Sequence, residues 1–173
     1  MATHVTRVKG SEAYRTGGVL LFGAFAIILM ALGFEHIGGY QPCELCLMQR
    51  WAYYVSIPVI FVALVLVGAE QPSWAAMAFF AVALAFLANA GLGAYQAGAE
   101  WKFWPGPSAC SGQQALVTNA GGLIESLKQT HVVRCDEAQI RIFFLSFAGW
   151  NTLISLVLFA VGLRAAFSAA EQR

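Results

Sequence analysis

The sequence predicts an all-α membrane protein, built as a bundle of four transmembrane helices in an up-down-up-down arrangement. The chain has 173 residues, of which 59% are hydrophobic and only 11% are charged, whereas soluble domains carry about 25% charged residues. Four apolar segments are long enough to cross about 30 Å of hydrocarbon at 1.5 Å per residue. Since every segment is needed for one bundle, we expect a single domain over residues 1–173.

The four predicted spans have approximate bounds of 17–37, 46–69, 73–95 and 141–163. The apolar run of the first span is too long for a typical signal peptide, and no clear cleavage site follows it. Pro58 lies inside the second span, where it is tolerated because helices in lipid can satisfy the freed backbone groups. Since four spans return the chain to its starting side, both termini should lie on one side of the membrane.

The charge pattern excludes one class of partner and slightly favours one orientation. A net charge of +1 provides no basic surface for nucleic acid. Five Lys and Arg residues lie on each side of the predicted bundle, but the tails are shorter than the loops. Their higher basic density favours termini in the cytoplasm.

All four cysteines lie in, or at the edge of, the two connections on the opposite face. Cys43 and Cys46 end the first of these connections, and Cys110 and Cys135 lie in the second. Because disulfides form and persist outside the cytosol, we expect this face to be periplasmic.

The stretch "PCELCLMQR" combines Cys43 and Cys46 with Arg50. If the second span begins near Pro42, a favoured first helical residue, both thiols lie in its first turn. The unpaired amides and the helix dipole there stabilise a thiolate. Arg50 shares a helix face with Cys46 and keeps its proton when buried, so it would favour a Cys46 thiolate or an anionic reduced acceptor.

The motif is compatible with other kinds of site. A CxxC pair can be half of a zinc site, but two further nitrogen or sulfur ligands are needed, and the three histidines are not at ligand spacing. We therefore expect no metal. Leu47 follows Cys46, so the motif is not a haem-attachment site. Arg50 could instead be an arginine that extends to the membrane interface.

The spacing of Cys110 and Cys135 suits a disulfide that closes a loop, in a connection running from about Gln96 to Arg141. Such a bond is either a structural staple or, because it is exposed, a target for an outside thiolate. Apolar residues between these cysteines recur at helical spacing and predict a short amphipathic helix on the membrane surface: Leu116, Ala120, Leu123, Ile124 and Leu127.

Between Tyr40 and Asn151 the sequence resembles the DsbB family of inner-membrane disulfide-generating oxidases. The resemblance is carried by "PCELCLMQR", "EWKFWPGPSAC", "RCDE" and "LSFAGWN", and the first of these fits the family pattern P-C-x-x-C-x-x-x-R. The DsbA–DsbB–quinone relay is known to keep the bacterial periplasm oxidising. The resemblance therefore implies a DsbA-like thioredoxin-fold partner, a quinone acceptor, with ubiquinone favoured over menaquinone, and a place in the bacterial inner membrane.

The resemblance also implies a role for each site residue. Cys43–Cys46 and Cys110–Cys135 would be the two disulfides. The reduced partner would attack Cys110, and the freed Cys135 would exchange with Cys43. Cys46, released as a thiolate, would pass the electrons to the quinone, whose oxygen Arg50 would help to hold.

Three positions depart from the family. Relatives often carry His just after the tyrosine that ends the third span, where this chain has Tyr95 and Gln96. Ile140 and Phe144 stand where many relatives have Trp and Gly. These departures concern the quinone pocket or loop packing, since all four cysteines and the arginine are present.

Two alternative functions remain open at this point. One is a quinone-linked reductase of the vitamin-K-epoxide-reductase type, although the membrane CxxC of that family lies deep in its chain. The other is a non-enzymatic membrane scaffold with two structural disulfides. The polar residues Asn89, Ser146 and Asn151 within the spans are predicted to be helix-packing contacts.

Overall fold

The computed structural model describes residues 2–106 and 141–172, which form four long helices and one small hairpin. Helices α1, α2 and α3 comprise Ala2–His36, Glu44–Gly68 and Pro72–Glu100. Strands β1 and β2, Arg141–Ile142 and Leu145–Ser146, pair antiparallel. The last helix, α4, is Phe147–Ala170. Each helix contains an apolar stretch long enough to cross a membrane, which confirms the predicted all-α membrane fold.

The helices form a closed ring in which α1 packs against α2 and α4, and α3 packs against the same two helices. Contacts at both ends show that neighbours run antiparallel. At one end, Glu35 near the end of α1 pairs with Arg50 near the start of α2. At the other end, Glu12 of α1 pairs with Arg164 of α4 at 2.8 Å. The up-down-up-down order is therefore confirmed.

The interior contains few large side chains, and many large apolar side chains point outward. Phe79, Phe86 and Ile60 are fully buried together with several alanines, whereas Phe22 and Phe61 are 75% and 59% exposed. An apolar exterior of this extent is unusual for a soluble protein, and small interior residues let membrane helices approach closely. The distribution fits a bundle surrounded by lipid.

Helices α3 and α4 come closest beside Gly93. A β-carbon at this position would lie 2.6 Å from Thr152 Oγ1 and 3.1 Å from the carbonyl oxygen of Ala148. The absence of a side chain therefore permits the contact. Gln96 on α3 and Asn151 on α4 lie within one helical turn of it, so this approach helps to position the site described below.

The helix bounds differ from the sequence prediction most clearly in the second half of the chain. Helix α3 continues to Glu100 rather than ending near residue 95, so Gln96 lies inside a helix and not at the start of a loop. Helix α4 begins at Phe147 rather than at residue 141, because the preceding residues turn back as a hairpin. Phe143 and Phe144 at its tip have φ of 50° and 66°, which interrupts any helix.

The start of α1 and the role of Ser146 also differ from expectation. Helix α1 extends back to Ala2, well before the predicted residue 17. Ser146, predicted to be a packing contact, instead caps α4, because its hydroxyl accepts a hydrogen bond from the backbone N–H of Gly149 at 3.2 Å. The predicted surface helix, Ile140, Cys110 and Cys135 lie outside the described residues.

Candidate redox site at one end of the bundle

Cys43 and Cys46 lie at the start of α2, with Cys43 as the residue that caps the helix. Its backbone is extended, with φ −74° and ψ 166°, and its sulfur accepts a hydrogen bond from the backbone N–H of Cys46 at 3.3 Å. The prediction that both thiols lie in the first turn is thus right for Cys46 and wrong for Cys43. Both cysteines carry free thiols in this structure, so their predicted disulfide stays a prediction.

The two thiols differ in their surroundings. Cys43 is only 5% exposed, whereas Cys46 is half-buried. The pKa of the Cys43 thiol is raised above its ordinary value, first because it shares a side-chain hydrogen bond with the Cys46 sulfur and second because it is buried. Both effects favour the protonated form of Cys43.

Gln96 of α3 lies beside both sulfurs, and its Oε1 is 3.9 Å from Cys46 Sγ. Its amide nitrogen donates to Cys43 Sγ at 3.3 Å and to Cys46 Sγ at 3.4 Å, and its oxygen accepts from Gln49 Nε2 at 2.7 Å. Gln96 and Gln49 are both buried. Sequence reasoning noted Gln96 only as a departure from the family and missed Gln49, because their contact joins residues on different helices.

The hydrogen-bonded chain continues from Gln49 to α4. Asn151 Nδ2 donates to Gln49 Oε1 at 2.6 Å, and Asn151 Oδ1 accepts from the Tyr53 hydroxyl at 2.8 Å. A second interhelical contact lies deeper in the bundle, where Asn89 Nδ2 donates to Ser155 Oγ at 3.0 Å. The prediction that Asn89 and Asn151 are helix-packing contacts is confirmed.

Arg50 is held at this end of the bundle by an ion pair with the carboxylate of Glu35. The pair is partly buried, since the two side chains are 13% and 29% exposed. The sequence placed Arg50 on the face of Cys46, and both residues do line the same cavity. The sequence did not reveal the role of Glu35, which is distinguished there only as an acidic residue at the end of the first apolar run.

This cavity has a volume of about 350 Å³ and opens between the ends of all four helices. Its walls are mostly apolar, and its few polar groups include the site residues described above. That combination is typical of small-molecule sites, which occupy roughly 300–1,000 Å³. The residues that line it are Ile27, Ile28, Met30, Ala31, Phe34, Glu35, Tyr40, Gln41, Pro42, Cys43, Cys46, Gln49, Arg50, Tyr53, Gln96, Glu100, Ser146, Phe147, Ala148, Trp150, Asn151 and Ile154.

Glu100, at the end of α3, is a buried carboxyl group in the cavity wall. It is 7% exposed, and its Oε1 accepts from Gln96 Nε2 at 3.4 Å. Its Oε2 has no hydrogen-bond partner among residues 2–106 and 141–172. Within the same ranges, no cluster of three or more His, Cys, Asp or Glu side chains is placed to hold a metal ion.

Comparison with known proteins identifies the family. The family model of "Disulfide bond formation protein DsbB" matches residues 15–165. The "Disulfide bond formation protein B" of Aromatoleum aromaticum is 28% identical over 158 residues, which is 87% of this chain and 92% of that protein. No solved structure matches the chain. Because the matched region contains most of the helical bundle and both cysteines of the CxxC motif, this chain belongs to the DsbB family of disulfide bond formation proteins.

Proposed function

We propose that this protein is a membrane thiol oxidase that reoxidises a periplasmic DsbA-like dithiol and passes the electrons to a membrane quinone. The family, which is linked to quinones in general, supports the reaction class. The single observation that carries the proposal is the position of Cys46. Its thiol lines an apolar cavity together with a guanidinium, so a lipid-soluble acceptor and a redox-active sulfur can meet there.

The residues around the cavity fit a quinone ring. Phe34, Phe147 and Ile154 provide apolar wall, which suits a ring and excludes water. Arg50 has five N–H donors and can bind a ring oxygen while it keeps its bond to Glu35. We propose that these residues hold the quinone and that Arg50 supplies the polar contact that orients it.

When bound, a quinone supplies an acceptor for two electrons and two protons. The Arg50 charge would stabilise negative charge on the acceptor oxygen, an effect that is strongest where water is excluded. The Cys46 sulfur, in the first turn of α2, would be the donor closest to the acceptor. Cys43, capping the same helix, would be the sulfur that receives electrons from the rest of the relay.

The relay needs the second cysteine pair, which lies outside the described residues. We propose that a thiolate of the partner attacks Cys110 of a Cys110–Cys135 disulfide and forms a mixed disulfide. Cys135 would then attack Cys43 of the Cys43–Cys46 disulfide, which releases Cys46 as a thiolate. The partner's second thiol would resolve the mixed disulfide and release Cys110, which would attack Cys135 of the Cys135–Cys43 disulfide, restore Cys110–Cys135 and free Cys43. Reoxidation of Cys43 and Cys46 to their disulfide would then deliver to the quinone the two electrons and two protons that the partner's dithiol has lost.

The same proposal sets the location and orientation. The bundle would lie in the bacterial inner membrane with both termini in the cytoplasm and the cysteines toward the periplasm. Disulfide exchange with a secreted partner requires this side. A thiol reagent that cannot cross membranes should therefore label the reduced cysteines in spheroplasts without prior lysis.

Turnover with purified protein tests the proposed function. The protein in detergent would be mixed with a reduced thioredoxin-fold dithiol protein and a water-soluble ubiquinone or menaquinone analogue, and quinone absorbance would be followed. We expect catalytic loss of the quinone and matching loss of free thiols in the dithiol protein. A scaffold with structural disulfides would give no turnover of either substrate. Reduction of quinone epoxide in place of dithiol oxidation would favour the vitamin-K-epoxide-reductase type.

A further inference from the structure

The side chain of Gln96 offers two N–H groups to three acceptors. These acceptors are Cys43 Sγ at 3.3 Å, Cys46 Sγ at 3.4 Å and Glu100 Oε1 at 3.4 Å. Gln96 is only 3% exposed, so water competes little for its hydrogens. A donor shared in this way can strengthen its bond to whichever acceptor carries the most negative charge, because bonds to charged groups are about twice as strong as neutral ones.

The orientation of this amide is set by its neighbours on two other helices. The Tyr53 hydroxyl donates to Asn151 Oδ1, so the nitrogen of Asn151 is directed to Gln49 Oε1. The nitrogen of Gln49 then donates to Gln96 Oε1 at 2.7 Å. An amide has its acceptor and donor on opposite sides, so each link fixes the next one. The last link leaves the Gln96 nitrogen directed at the sulfurs.

The side-chain carboxyl group of Glu100, beyond Gln96 in this series of hydrogen bonds, agrees with this orientation. Glu100 Oε1 lies on the nitrogen side of Gln96 and accepts from it at 3.4 Å. A reversed amide would lose the hydrogen bonds that this nitrogen donates to Glu100 and to the two sulfurs. The observed orientation keeps all three.

We propose that Gln96 is a catalytic residue that stabilises negative charge on the sulfurs of Cys43 and Cys46 during thiol–disulfide exchange. This inference rests on the proposed function, in which attack on Cys43 expels Cys46 as a thiolate. Gln96 contacts both sulfurs at nearly equal distance, so it can follow the charge from one to the other without moving. Arg50 is already engaged by Glu35 and is left to interact with the acceptor.

Three residues act through Gln96 and are positioning residues. Tyr53, Asn151 and Gln49 hold its amide in the donating orientation and are themselves at least partly buried. Removal of the Tyr53 hydroxyl would leave Gln96 in place but free the chain of amides to reverse. Its effect on the sulfurs should therefore be smaller than that of removing Gln96.

The pH dependence of Cys46 alkylation tests this role without quinone or dithiol substrate. The fully reduced, full-length protein would react with a small neutral alkylating reagent over a range of pH, and tandem mass spectrometry would resolve Cys46 from Cys43. In Gln96→Leu, which keeps the volume but removes the donor, we expect the midpoint to rise by about one pH unit or more, equivalent to about tenfold less thiolate at a given pH. Gln96→Glu should raise it further, and Tyr53→Phe should raise it less.

Asn89→Leu is the matched control. It removes a buried hydrogen bond of the same helix, α3, to α4, and it lies two turns away from Gln96. This variant should unfold more easily but keep the wild-type midpoint for the pH dependence of Cys46 alkylation. An unchanged midpoint in Gln96→Leu would overturn the proposal, as would an equal shift in Asn89→Leu. If Gln96→Leu fails to fold, the isosteric Gln96→Glu decides, and a wild-type midpoint there would also overturn it.

Quinone turnover and the alkylation midpoint, measured on the same protein, separate this inference from the proposed function. A wild-type protein that never turns over quinone contradicts the function, whatever the alkylation midpoint. A protein that turns over normally while Gln96→Leu keeps the wild-type midpoint contradicts only the role of Gln96.

Discussion

The guanidinium of Arg50 and the carboxylate of Glu35 form an ion pair across the rim of the cavity that Cys46 lines. The pair joins the end of α1 to the start of α2, so it fixes the arginine side chain in one direction. Because the carboxylate compensates its charge, Arg50 can remain in a mostly apolar wall. The remaining N–H groups are then available to an acceptor oxygen.

Replacement of Arg50 tests whether the guanidinium serves the acceptor or only the fold. We expect Arg50→Gln to raise the apparent KM for quinone by about tenfold or more, since a hydrogen bond to a charged group contributes about 1.5–3 kcal/mol. Quinone titrations of initial rates would measure this. Glu35→Gln is the matched variant, because it breaks the same ion pair but keeps the guanidinium, and its KM should change much less. Equal increases in both variants would mean that the pair acts only in folding.

The two thiols of the CxxC motif should react in a fixed order. Cys43 is buried and its pKa is raised, whereas Cys46 is half-buried in the cavity wall. In the reduced protein at neutral pH we therefore expect alkylation at Cys46 before Cys43. Because the folded pKa of Cys43 lies above its unfolded value, its contribution to stability is full below the unfolded pKa of about 8.5 and is lost as the pH rises above it.

Mass spectrometry of briefly labelled protein, with unfolding curves of the reduced protein between pH 7 and pH 10, would check both expectations. First labelling at Cys43, or constant stability over this range, would contradict them. A Cys43→Ser variant serves as control, because it should lose the stability change above the thiol pKa.

The close approach of α3 and α4 should make Gly93 intolerant of a side chain. In Gly93→Ala the new carbon would meet Thr152 Oγ1 and the backbone of Ala148, and overpacking of this kind costs about 1–3 kcal/mol. We expect a lower unfolding midpoint in detergent, measured by loss of helical circular dichroism.

Gly91→Ala provides the comparison on the same helix. A β-carbon there meets no atom within 4 Å, and alanine favours a helix by up to about 1 kcal/mol over glycine. Stability should be unchanged or increased. If both alanine variants behave alike, the packing at Gly93 is looser than the structure indicates.

The fold was predictable because four long apolar runs dominate the sequence. The helix ends were less predictable, since the apolar runs and the helices end at different residues. Gln96 and Glu100 are polar but continue α3, because contacts with neighbouring helices bury them. Phe143 and Phe144 are apolar but lie in an exposed hairpin. Hydropathy alone cannot distinguish these cases.

The site was predictable only where its residues share a local motif. Cys43, Cys46 and Arg50 lie within one helical segment, so spacing placed them together. Glu35 of α1 reaches the arginine and Gln96 of α3 reaches the sulfurs, and a single sequence carries no signal for such contacts between helices. The prediction therefore emphasised Arg50 as the partner of the thiolate, whereas the structure brings Gln96 to both sulfurs.

The central claim is that electrons leave the protein from Cys46 into the adjoining cavity. Its most direct test is Cys46→Ser, assayed for quinone reduction and, separately, for the mixed disulfide between Cys110 and a reduced partner. We predict that quinone reduction is abolished while the mixed disulfide still forms. Quinone reduction at the wild-type rate in Cys46→Ser would contradict the account.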